Sequence, residues 1–261
     1  MIMKGYVSEM FSSYQGEGGT VSGSCQGKRQ VFIRLAGCNL AKAKRPCIWC
    51  DSPSAHEMKT GEFRLEKEPG CMNFEFLPNP VDAAQIKEYI ERLRTPDLHS
   101  ISLTGGEPLY QPDFLKSICK EGKDEIYLET NGTLPKAAKK MAAYVDFACV
   151  DIKDETAIPY KDWKGVVKKE LKTIEYLKEA GALVFAKVVV TAATKPQNIE
   201  WYAKELKGLG APLAIQPVTT GNASLGIGLK KLFKLTETAA QYLSAKDITL
   251  SLQAHKAYGF L

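Results

Sequence analysis

The sequence predicts an α/β fold, a partial (β/α)6 barrel with one inserted segment, formed by a single domain over residues 1–261. Short apolar or β-branched runs alternate with amphipathic helical patterns, which is typical of parallel βα units. Six such runs precede the last predicted helix, at residues 229–243. The chain is 44% hydrophobic and 25% charged, so it can bury a sizeable core. Barrels of this length often form one domain.

The predicted elements follow one another in a regular order. A strand is predicted at residues 31–35, before Gly37. A helix begins after Asn79 and Pro80, because apolar residues 83, 86, 90 and 93 fall on one face. Strands are also predicted at 100–103, 126–129, 147–152, 184–190, 213–217 and 248–252, and helices around 136–144, 167–180 and 197–209. The segment 59–80 departs from this order and is interpreted as an insertion that could form a hairpin over one end of the barrel.

Composition and charge argue against two classes of partner. The formal net charge is +5 and the lysines are scattered, whereas a nucleic-acid-binding domain usually concentrates positive charge on one face. We therefore expect no nucleic-acid partner. No apolar run reaches about 18 residues, so we expect no membrane partner either. The opening residues begin a strand-like pattern without an apolar signal-peptide region, which favours a cytoplasmic location.

The seven cysteines indicate thiol or metal chemistry. An odd number in a chain without an export signal argues against a disulfide framework. Cys38, Cys47 and Cys50 lie within thirteen residues, in a loop after a predicted strand. Three thiolates can ligate three irons of a [4Fe–4S] cluster and leave the fourth iron open. A zinc site is the alternative, although zinc sites usually have four ligands and His56 is the nearest candidate for the fourth.

A second segment, Gly105-Gly106-Glu107-Pro108, directly follows another predicted strand. Paired glycines let the backbone approach a ligand closely, and the glutamate can hold a charged amine. An ordinary glycine turn is the alternative. Together with the cysteine loop upstream, this segment resembles the radical SAM superfamily, whose members use a [4Fe–4S] cluster and S-adenosylmethionine (SAM).

This resemblance implies a set of SAM contacts at the strand ends. In the superfamily the Gly-Gly-Glu-Pro segment receives the methionine amino group of SAM, and the end of the next strand also contacts SAM. Two residues after later strands could face SAM too, although an exposed lysine and a hydrogen-bonded loop glutamine are equally good interpretations. The assigned residues are Gly105, Gly106 and Glu107, then Glu129 and Asn131, and finally Lys153 and Gln216.

Further segments narrow the resemblance. Residues 11–18 contain Gln-Gly-Glu-Gly, and residues 251–256 contain Gln-Ala-His-Lys. With residues 32–40 around the first cysteine, they resemble the 7-carboxy-7-deazaguanine synthase family. That resemblance implies conversion of 6-carboxy-5,6,7,8-tetrahydropterin to 7-carboxy-7-deazaguanine by radical ring contraction with loss of ammonia. It implies that the pterin is bound by Gln15, Gly16, Glu17, Arg34 and His255, with the terminal carboxylate of Leu261 reaching the site.

The resemblance also implies Mg2+, and we expect a protein electron donor and a homodimer. Family members commonly have Asp-Thr after the last cysteine, where the hydroxyl binds Mg2+. Ser52 keeps the oxygen ligand that a hard cation needs, and a loop cap is its alternative role. The spacing of eight residues between the first two cysteines is longer than the common one. The added segment carries Lys42, Lys44 and Arg45, which could dock an acidic flavodoxin or ferredoxin or simply form a solvated loop.

Two other functions remain open on the residues alone. A radical SAM enzyme with another substrate, such as a glycyl-radical activating enzyme, would share the cysteine loop and the Gly-Gly-Glu-Pro segment. It would lack the Gln-Gly-Glu-Gly loop and the late Gln-x-His-Lys run. A non-catalytic zinc- or cluster-binding protein would need only the cysteines. The joint occurrence of all segments in the expected order favours the synthase family.

Overall fold

The computed structural model describes residues 2–120, 122–158, 161–219 and 226–259. Strands β1 and β6 form a small antiparallel pair. The other ten strands form one sheet in the order β12-β11-β10-β9-β8-β7-β3-β2-β4-β5. The strands are β1 (Lys4–Gly5), β2 (Val7–Tyr14), β3 (Arg29–Leu35), β4 (Glu62–Glu66), β5 (Phe74–Pro78), β6 (Val81–Asp82), β7 (Leu98–Gly105), β8 (Ile126–Thr130), β9 (Phe147–Ile152), β10 (Leu183–Val190), β11 (Leu213–Pro217) and β12 (Ile248–Leu250).

The central part of the large sheet is parallel. Strands β3 and β7 to β12 run in the same direction, each paired with the next. The six strands expected before the last helix are present, and β12 follows that helix as expected. Strands β5 and β12 are the two edges of the sheet, so within the described ranges the barrel is open. The predicted partial α/β barrel is confirmed.

Eight α-helices lie within the described ranges. The predicted apolar face of α2 is buried through Ile86, Ile90 and Leu93. Asp82 caps this helix in a reciprocal pair with Gln85, an arrangement worth about 1 kcal/mol. The last predicted helix is shorter than expected, because residues 240–243 form turns. The helices are α1 (Asn39–Lys42), α2 (Ala83–Leu93), α3 (Pro112–Cys119), α4 (Pro135–Met141), α5 (Trp163–Glu179), α6 (Pro196–Leu209), α7 (Leu229–Ala239) and α8 (Ala254–Tyr258).

Three strands extend the sheet beyond β3. Strand β2 is antiparallel to β3 and parallel to β4, and β4 is antiparallel to β5. The segment 59–80 therefore contains a hairpin that continues the sheet past β2. Both faces of β2 are covered, because Met10, Phe11 and Ser12 are successive buried residues.

The main core lies between the parallel strands and the helices. Strand residues such as Leu35, Leu103 and Val150 are completely buried, and each such side chain contributes about 1.5–3 kcal/mol. Parallel strands present their carboxyl ends at one edge, so the loops after β3 and β7 to β11 come together. In the part of the chain that the structure describes, no helix is both long and apolar enough to span a membrane.

Candidate active site

A cavity of about 680 Å³ is lined by six neighbouring parallel strands, β3 and β7 to β11, together with residues of β2 and β4 and the loops around them. Every residue that the sequence assigned to the site lines this cavity, apart from Leu261, which lies outside the described residues. The assigned residues are Gln15, Gly16, Glu17, Arg34, Cys38, Cys47, Cys50, Ser52, Gly105, Gly106, Glu107, Glu129, Asn131, Lys153, Gln216 and His255.

The cysteine loop leaves β3 through Gly37, whose φ of 92° lies in the left-handed region that favours glycine. The N–H of Gly37 donates to the carbonyl of Ala55 at 2.8 Å, and the N–H of Cys38 donates to the carbonyl of His56 at 3.2 Å. The N–H of Ile48 donates at 2.9 Å to a carbonyl in the segment after β9. These backbone bonds fix both halves of the loop beside the cavity.

The three thiols suit a [4Fe–4S] cluster better than a single metal ion. Burial is the main cause that raises the pKa of Cys38 and of Cys50, and the nearby Cys47 raises both further. A tetrahedral zinc site would bring sulfur ligands within about 4 Å of one another. Among the described residues, the one set of three possible ligand atoms lying within 4.8 Å of each other contains no cysteine. The three sulfur atoms are therefore not all within 4.8 Å of one another, which fits a cubane, in which each cysteine binds a different iron.

The backbone of Gly105 and Gly106 packs directly against residues on either side of the cysteine loop. The φ of Gly105 is 141°, and a Cβ there would lie 2.3 Å from the carbonyl oxygen of Leu35. A Cβ on Gly106 would lie 2.4 Å from the carbonyl oxygen of Ala55. Only glycine allows this close approach of backbones, and the N–H of Gly106 uses it to donate to Leu35 at 3.1 Å.

Glu107 is completely buried and binds the end of the next strand. Its carboxylate accepts from the hydroxyl of Thr130 at 2.7 Å, the N–H of Asn131 at 2.8 Å and the N–H of Leu109 at 3.0 Å. Burial nevertheless raises the pKa of Glu107 to about 7. The side chain of Asn131 donates to Asn39, next to the first cysteine, at 3.0 Å. Glu107 thus aligns the ends of β7 and β8 beside the cysteine loop.

Two polar side chains of the Gln-Gly-Glu-Gly loop form hydrogen bonds with residues of the parallel strands. Gln15 donates to Glu129 at 2.7 Å. Glu17 accepts from Lys187 at 2.5 Å and from Gln253 at 2.7 Å. Burial would raise the pKa of Glu17, but the charge and hydrogen bond of Lys187 outweigh it and the pKa is lowered. Glu17 is therefore an ionised acceptor held by donors on both of its oxygens.

Lys187 also belongs to a row of half-buried charges on β10, on β9 and just after β9. Its Nζ lies 3.4 Å from Asp151, whose other oxygen accepts from Lys153 at 2.6 Å. Burial opposes ionisation of all these groups, but their mutual attraction outweighs it. The pKa of Asp151 is therefore lowered, and the pKa values of Lys153 and Lys187 are raised. Glu17, Lys187, Asp151 and Lys153 form an alternating ionic row along the cavity wall.

The late Gln-x-His-Lys segment packs against the Gln-Gly-Glu-Gly loop. The N–H of Ala254 donates to the carbonyl of Gly16 at 2.9 Å. A Cβ on Gly16 would lie 2.5 Å from Nδ1 of His255, so any other residue there would have to displace the imidazole. Burial is the main cause that lowers the pKa of His255. Gln216 donates weakly to Glu17 at 3.3 Å and accepts from a serine of the same late segment.

Arg34 is held in place from two sides. Its Nε donates to Glu9 at 2.7 Å and its Nη1 donates to Ser52 at 2.9 Å. Arg64 pairs with the other oxygen of Glu9. The ring of Phe11 lies 5.8 Å below the guanidinium. Because two of the three nitrogens are engaged, Nη2 remains for a ligand as far as the described residues show.

One group of ligand atoms could hold a cation. Glu17, Asp51 and His255 each offer an atom within 4.8 Å of the other two. Ser52, the predicted Mg2+ ligand, adjoins this group and donates to Asp51 at 3.1 Å. A hard cation prefers such oxygen ligands. The sequence therefore identified one hydroxyl beside the group but not the convergence of the two carboxylates.

Lys187, Asp151, Gln253 and Glu9 line the cavity but were not assigned to it from the sequence. Two of them had a visible signal, since Lys187 and Asp151 are charged residues inside otherwise apolar strands. A charge in a buried strand is rarely tolerated without a partner. Glu9 lies in a strand too, beside the buried Met10 and Phe11, whereas Gln253 gave no comparable signal because it lies in a polar stretch of the sequence.

Comparisons with known proteins agree with this geometry. A family model described as the radical SAM superfamily matches residues 32–208. The chain is 43% identical to the 7-carboxy-7-deazaguanine synthase of Thermococcus kodakarensis, over 97% of this chain and 98% of the relative. It is 36% identical to the enzyme of the same name from Methanocaldococcus jannaschii, over 98% and 100%. The chain belongs to the 7-carboxy-7-deazaguanine synthase family.

Membership of the synthase family makes the chain a radical SAM enzyme and implies a [4Fe–4S] cluster and SAM. The expected lyase class is confirmed, and the non-catalytic and glycyl-radical interpretations do not describe this family. A radical SAM methyltransferase from Sphaerobacter thermophilus has a similar fold, with a TM-score of 0.56 at 15% identity, over 85% of this chain and 66% of that one. That likeness supports the fold alone.

Proposed function

We propose that the chain converts 6-carboxy-5,6,7,8-tetrahydropterin to 7-carboxy-7-deazaguanine with loss of ammonia. One observation carries the proposal: a single cavity combines the three thiols of the cysteine loop with Gln15, Glu17, Arg34 and His255. Relatives named 7-carboxy-7-deazaguanine synthase, aligned over nearly their whole length, support the same product.

The cofactor side of the cavity follows from the cysteine and glycine segments. Cys38, Cys47 and Cys50 would hold the cluster, which together with SAM supplies one-electron reductive cleavage to begin the reaction. Gly105 and Gly106 leave room for a ligand close to the backbone. The SAM contacts would come from Gly105, Gly106, Glu107, Glu129, Asn131, Lys153 and Gln216. Of these, Glu129 and Gln216 also bind the Gln-Gly-Glu-Gly loop, so they would lie at the border with the substrate.

The residues on the substrate side of the cavity would recognise a pterin through charge and hydrogen bonding. Glu17 is ionised, so it can accept from the N–H groups of a pterin edge. Gln15 is oriented by Glu129, and His255 lies directly over Gly16. Arg34 offers Nη2 to the substrate carboxylate, because Glu9 and Ser52 already fix the rest of its guanidinium. These groups bind and orient the substrate.

Ser52 and Asp51 would hold a Mg2+ ion, which would supply positive charge for binding the substrate carboxylate. Support comes from the hydroxyl and carboxylate oxygens grouped there and from the preference of Mg2+ for oxygen ligands. Asp51→Asn should weaken the stimulation of turnover by Mg2+. An Mg2+ titration that is unchanged in Asp51→Asn and in Ser52→Ala would contradict this placement.

The substrate assignment is tested with the reconstituted protein, SAM, dithionite and the carboxypterin. We expect 7-carboxy-7-deazaguanine by mass spectrometry. Arg34→Ala should lose the charge-assisted contact to the carboxylate, at a cost of about 1.5–3 kcal/mol, and Glu17→Gln should mismatch the pterin edge. Both variants should retain the cluster and release 5′-deoxyadenosine slowly without product. A wild-type protein that leaves the carboxypterin unchanged would contradict the substrate but not the family.

The cluster ligands are tested by iron and sulfide content. Cys38→Ala, Cys47→Ala and Cys50→Ala should each lose the cluster. Cys71→Ala is the matched control, because Cys71 is exposed and does not line the cavity. Full cluster content in Cys47→Ala would contradict the ligand assignment.

The electron donor would be a flavodoxin or ferredoxin that docks beside the cysteine loop. Lys42, Lys44 and Arg45 are exposed there, and Ile48 and Trp49 expose 55% and 46% of their surface next to the cluster ligands. Such a mixed basic and apolar surface suits an acidic protein, whose charge-steered association weakens as salt rises.

Replacement of the three basic residues by Gln should slow turnover with a flavodoxin or ferredoxin but not with dithionite. The matched control replaces Lys136, Lys139 and Lys140, an exposed triplet on α4, and should change neither rate. If the first variant turned over as fast as the wild type with the protein donor as well as with dithionite, the docking surface would be refuted.

The assembly would be a homodimer. Leu229 and Phe233, one turn apart on α7, expose 62% and 56% of their surface, and apolar side chains grouped on a surface often mark contacts between proteins. Light scattering should give twice the mass of the chain, and Phe233→Glu should give the mass of one chain. A monomeric wild type would contradict the dimer.

A further inference from the structure

One histidine at the cavity is used by none of the roles assigned above. His56 follows the short 3-10 helix Pro53–Ala55. Its Nε2 lies 3.2 Å from the sulfur of Cys50, and its carbonyl accepts from the N–H of Cys38 at 3.2 Å. The residue therefore contacts the first cysteine through its backbone and the third through its side chain.

We propose that His56 is a positioning residue that donates a hydrogen bond from Nε2 to the cluster-bound thiolate of Cys50 and so favours the reduced cluster. The inference rests on the proposed function, in which Cys50 is a cluster ligand. An iron-bound thiolate carries no proton, so the observed contact persists only if Nε2 is the donor. A neutral imidazole with its proton on Nε2 meets this need.

The consequence for the cluster follows from electrostatics. Reduction adds negative charge to the cluster and its sulfur ligands. A donor aimed at one sulfur stabilises that charge more in the reduced state than in the oxidised state, which raises the reduction potential. His56 would thereby ease electron transfer to the cluster from the donor that is proposed to dock beside the cysteine loop.

The variants separate the hydrogen bond from packing. His56→Phe keeps an aromatic ring but has no donor, whereas His56→Gln keeps an N–H donor. Both leave the backbone carbonyl that binds Cys38. His99→Phe is the matched control, since His99 contacts Ser100 and Phe147 at the start of β7 instead of the cysteine loop.

The measurement is an EPR-monitored redox titration of the reconstituted full chain, with iron and sulfide content determined in parallel. In His56→Phe we expect the reduction equilibrium to shift on the order of tenfold against reduction, as for one charge-assisted hydrogen bond, or about 59 mV for a one-electron couple. His56→Gln should recover most of the shift, and His99→Phe should match the wild type.

An unshifted potential in His56→Phe with a full cluster would overturn the inference alone. Failure of His56→Gln to recover the potential would overturn it too, since a donor would then be irrelevant. Loss of the cluster in both His56 variants would show a ligand or purely structural role and would also overturn it. A wild type that assembles no cluster would overturn the proposed function together with the inference.

Discussion

Replacement of Lys187 by Met removes an ammonium group that lies between the buried carboxylate of Glu17 and the half-buried carboxylate of Asp151. The Nζ of Lys187 lies 2.5 Å from Glu17 and 3.4 Å from Asp151. The side chains of Lys187 and Glu17 are only 13% and 11% exposed. Breaking a buried ion pair by removal of one partner costs about 3–5 kcal/mol. Gln253 still donates to Glu17, and Lys153 still neutralises Asp151, so we expect about 3 kcal/mol.

The contribution of the Glu17–Lys187 pair to the free energy of unfolding depends on pH with a definite sign. The pKa of Glu17 is lowered from its ordinary 4.5, so its contribution to stability is present above 4.5 and is lost as pH falls through the lowered value. The pKa of Lys187 is raised well above its ordinary 10.5, so its contribution is present below 10.5 and is lost as pH rises through the raised value. The difference in unfolding free energy between wild type and Lys187→Met should therefore narrow below about pH 4.5.

The assay is urea unfolding of the cluster-free protein, followed by tryptophan fluorescence. With an m-value of about 3 kcal/mol/M, the midpoint should fall by about 1 M. Lys204→Met is the matched control, because its partner Glu200 is on the surface and such pairs contribute about 0–1 kcal/mol. The double variant Glu17→Gln/Lys187→Met removes the stranded charge and should recover part of the loss. Equal losses in the two lysine variants, or no recovery in the double variant, would refute the reasoning.

Two further substitutions test the framework of the site. Gly105→Ala should lower the free energy of unfolding by about 1–3 kcal/mol, because its φ is 141° and a Cβ would meet the carbonyl of Leu35; an unchanged urea midpoint would contradict this. Tyr202→Phe should cost about 1.5–3 kcal/mol, because its hydroxyl donates to the buried carboxylate of Asp154 at 2.8 Å. Tyr242→Phe, whose hydroxyl donates to a surface carboxylate, should cost less, and equal losses would refute the role of burial.

The parallel strands were predictable because their signal is local. Residues 147–152 and 213–217 were predicted as strands, and β9 and β11 have those bounds. Strands covered on both faces are continuous apolar runs, so hydrophobicity alone marks them. The cysteines and paired glycines were equally visible, since each set lies within a few residues. A local pattern therefore sufficed to find the cysteine loop and the paired glycines, which line the cavity together.

The ionic row could not be derived in the same way. Lys187 and Glu17 are 170 residues apart in the chain, and their contact depends on the order and register of the strands. Hydrophobic periodicity determines which residues are buried but not which strands are neighbours. The position of the hairpin β4–β5 beside β2 could not be derived either. Its strand β4 pairs with β2 through residues 9 and 64, which are far apart in the chain. A lysine in a buried strand indicates that a partner exists without identifying it.

The packing of residues 251–255 against residues 15–18 has a consequence for synthesis on the ribosome. Gln253 reaches Glu17 across 236 positions of the chain, whereas residues 38–107 contain both the cysteine loop and the paired glycines. Contacts of long sequence separation form late, because they must close a large loop. A nascent chain can therefore bring the cysteine loop and the paired glycines together early, while Glu17 gains its contact with Gln253 only after residues 251–255 have been synthesised. The part of the cavity wall around Glu17 is therefore completed later than the cysteine loop.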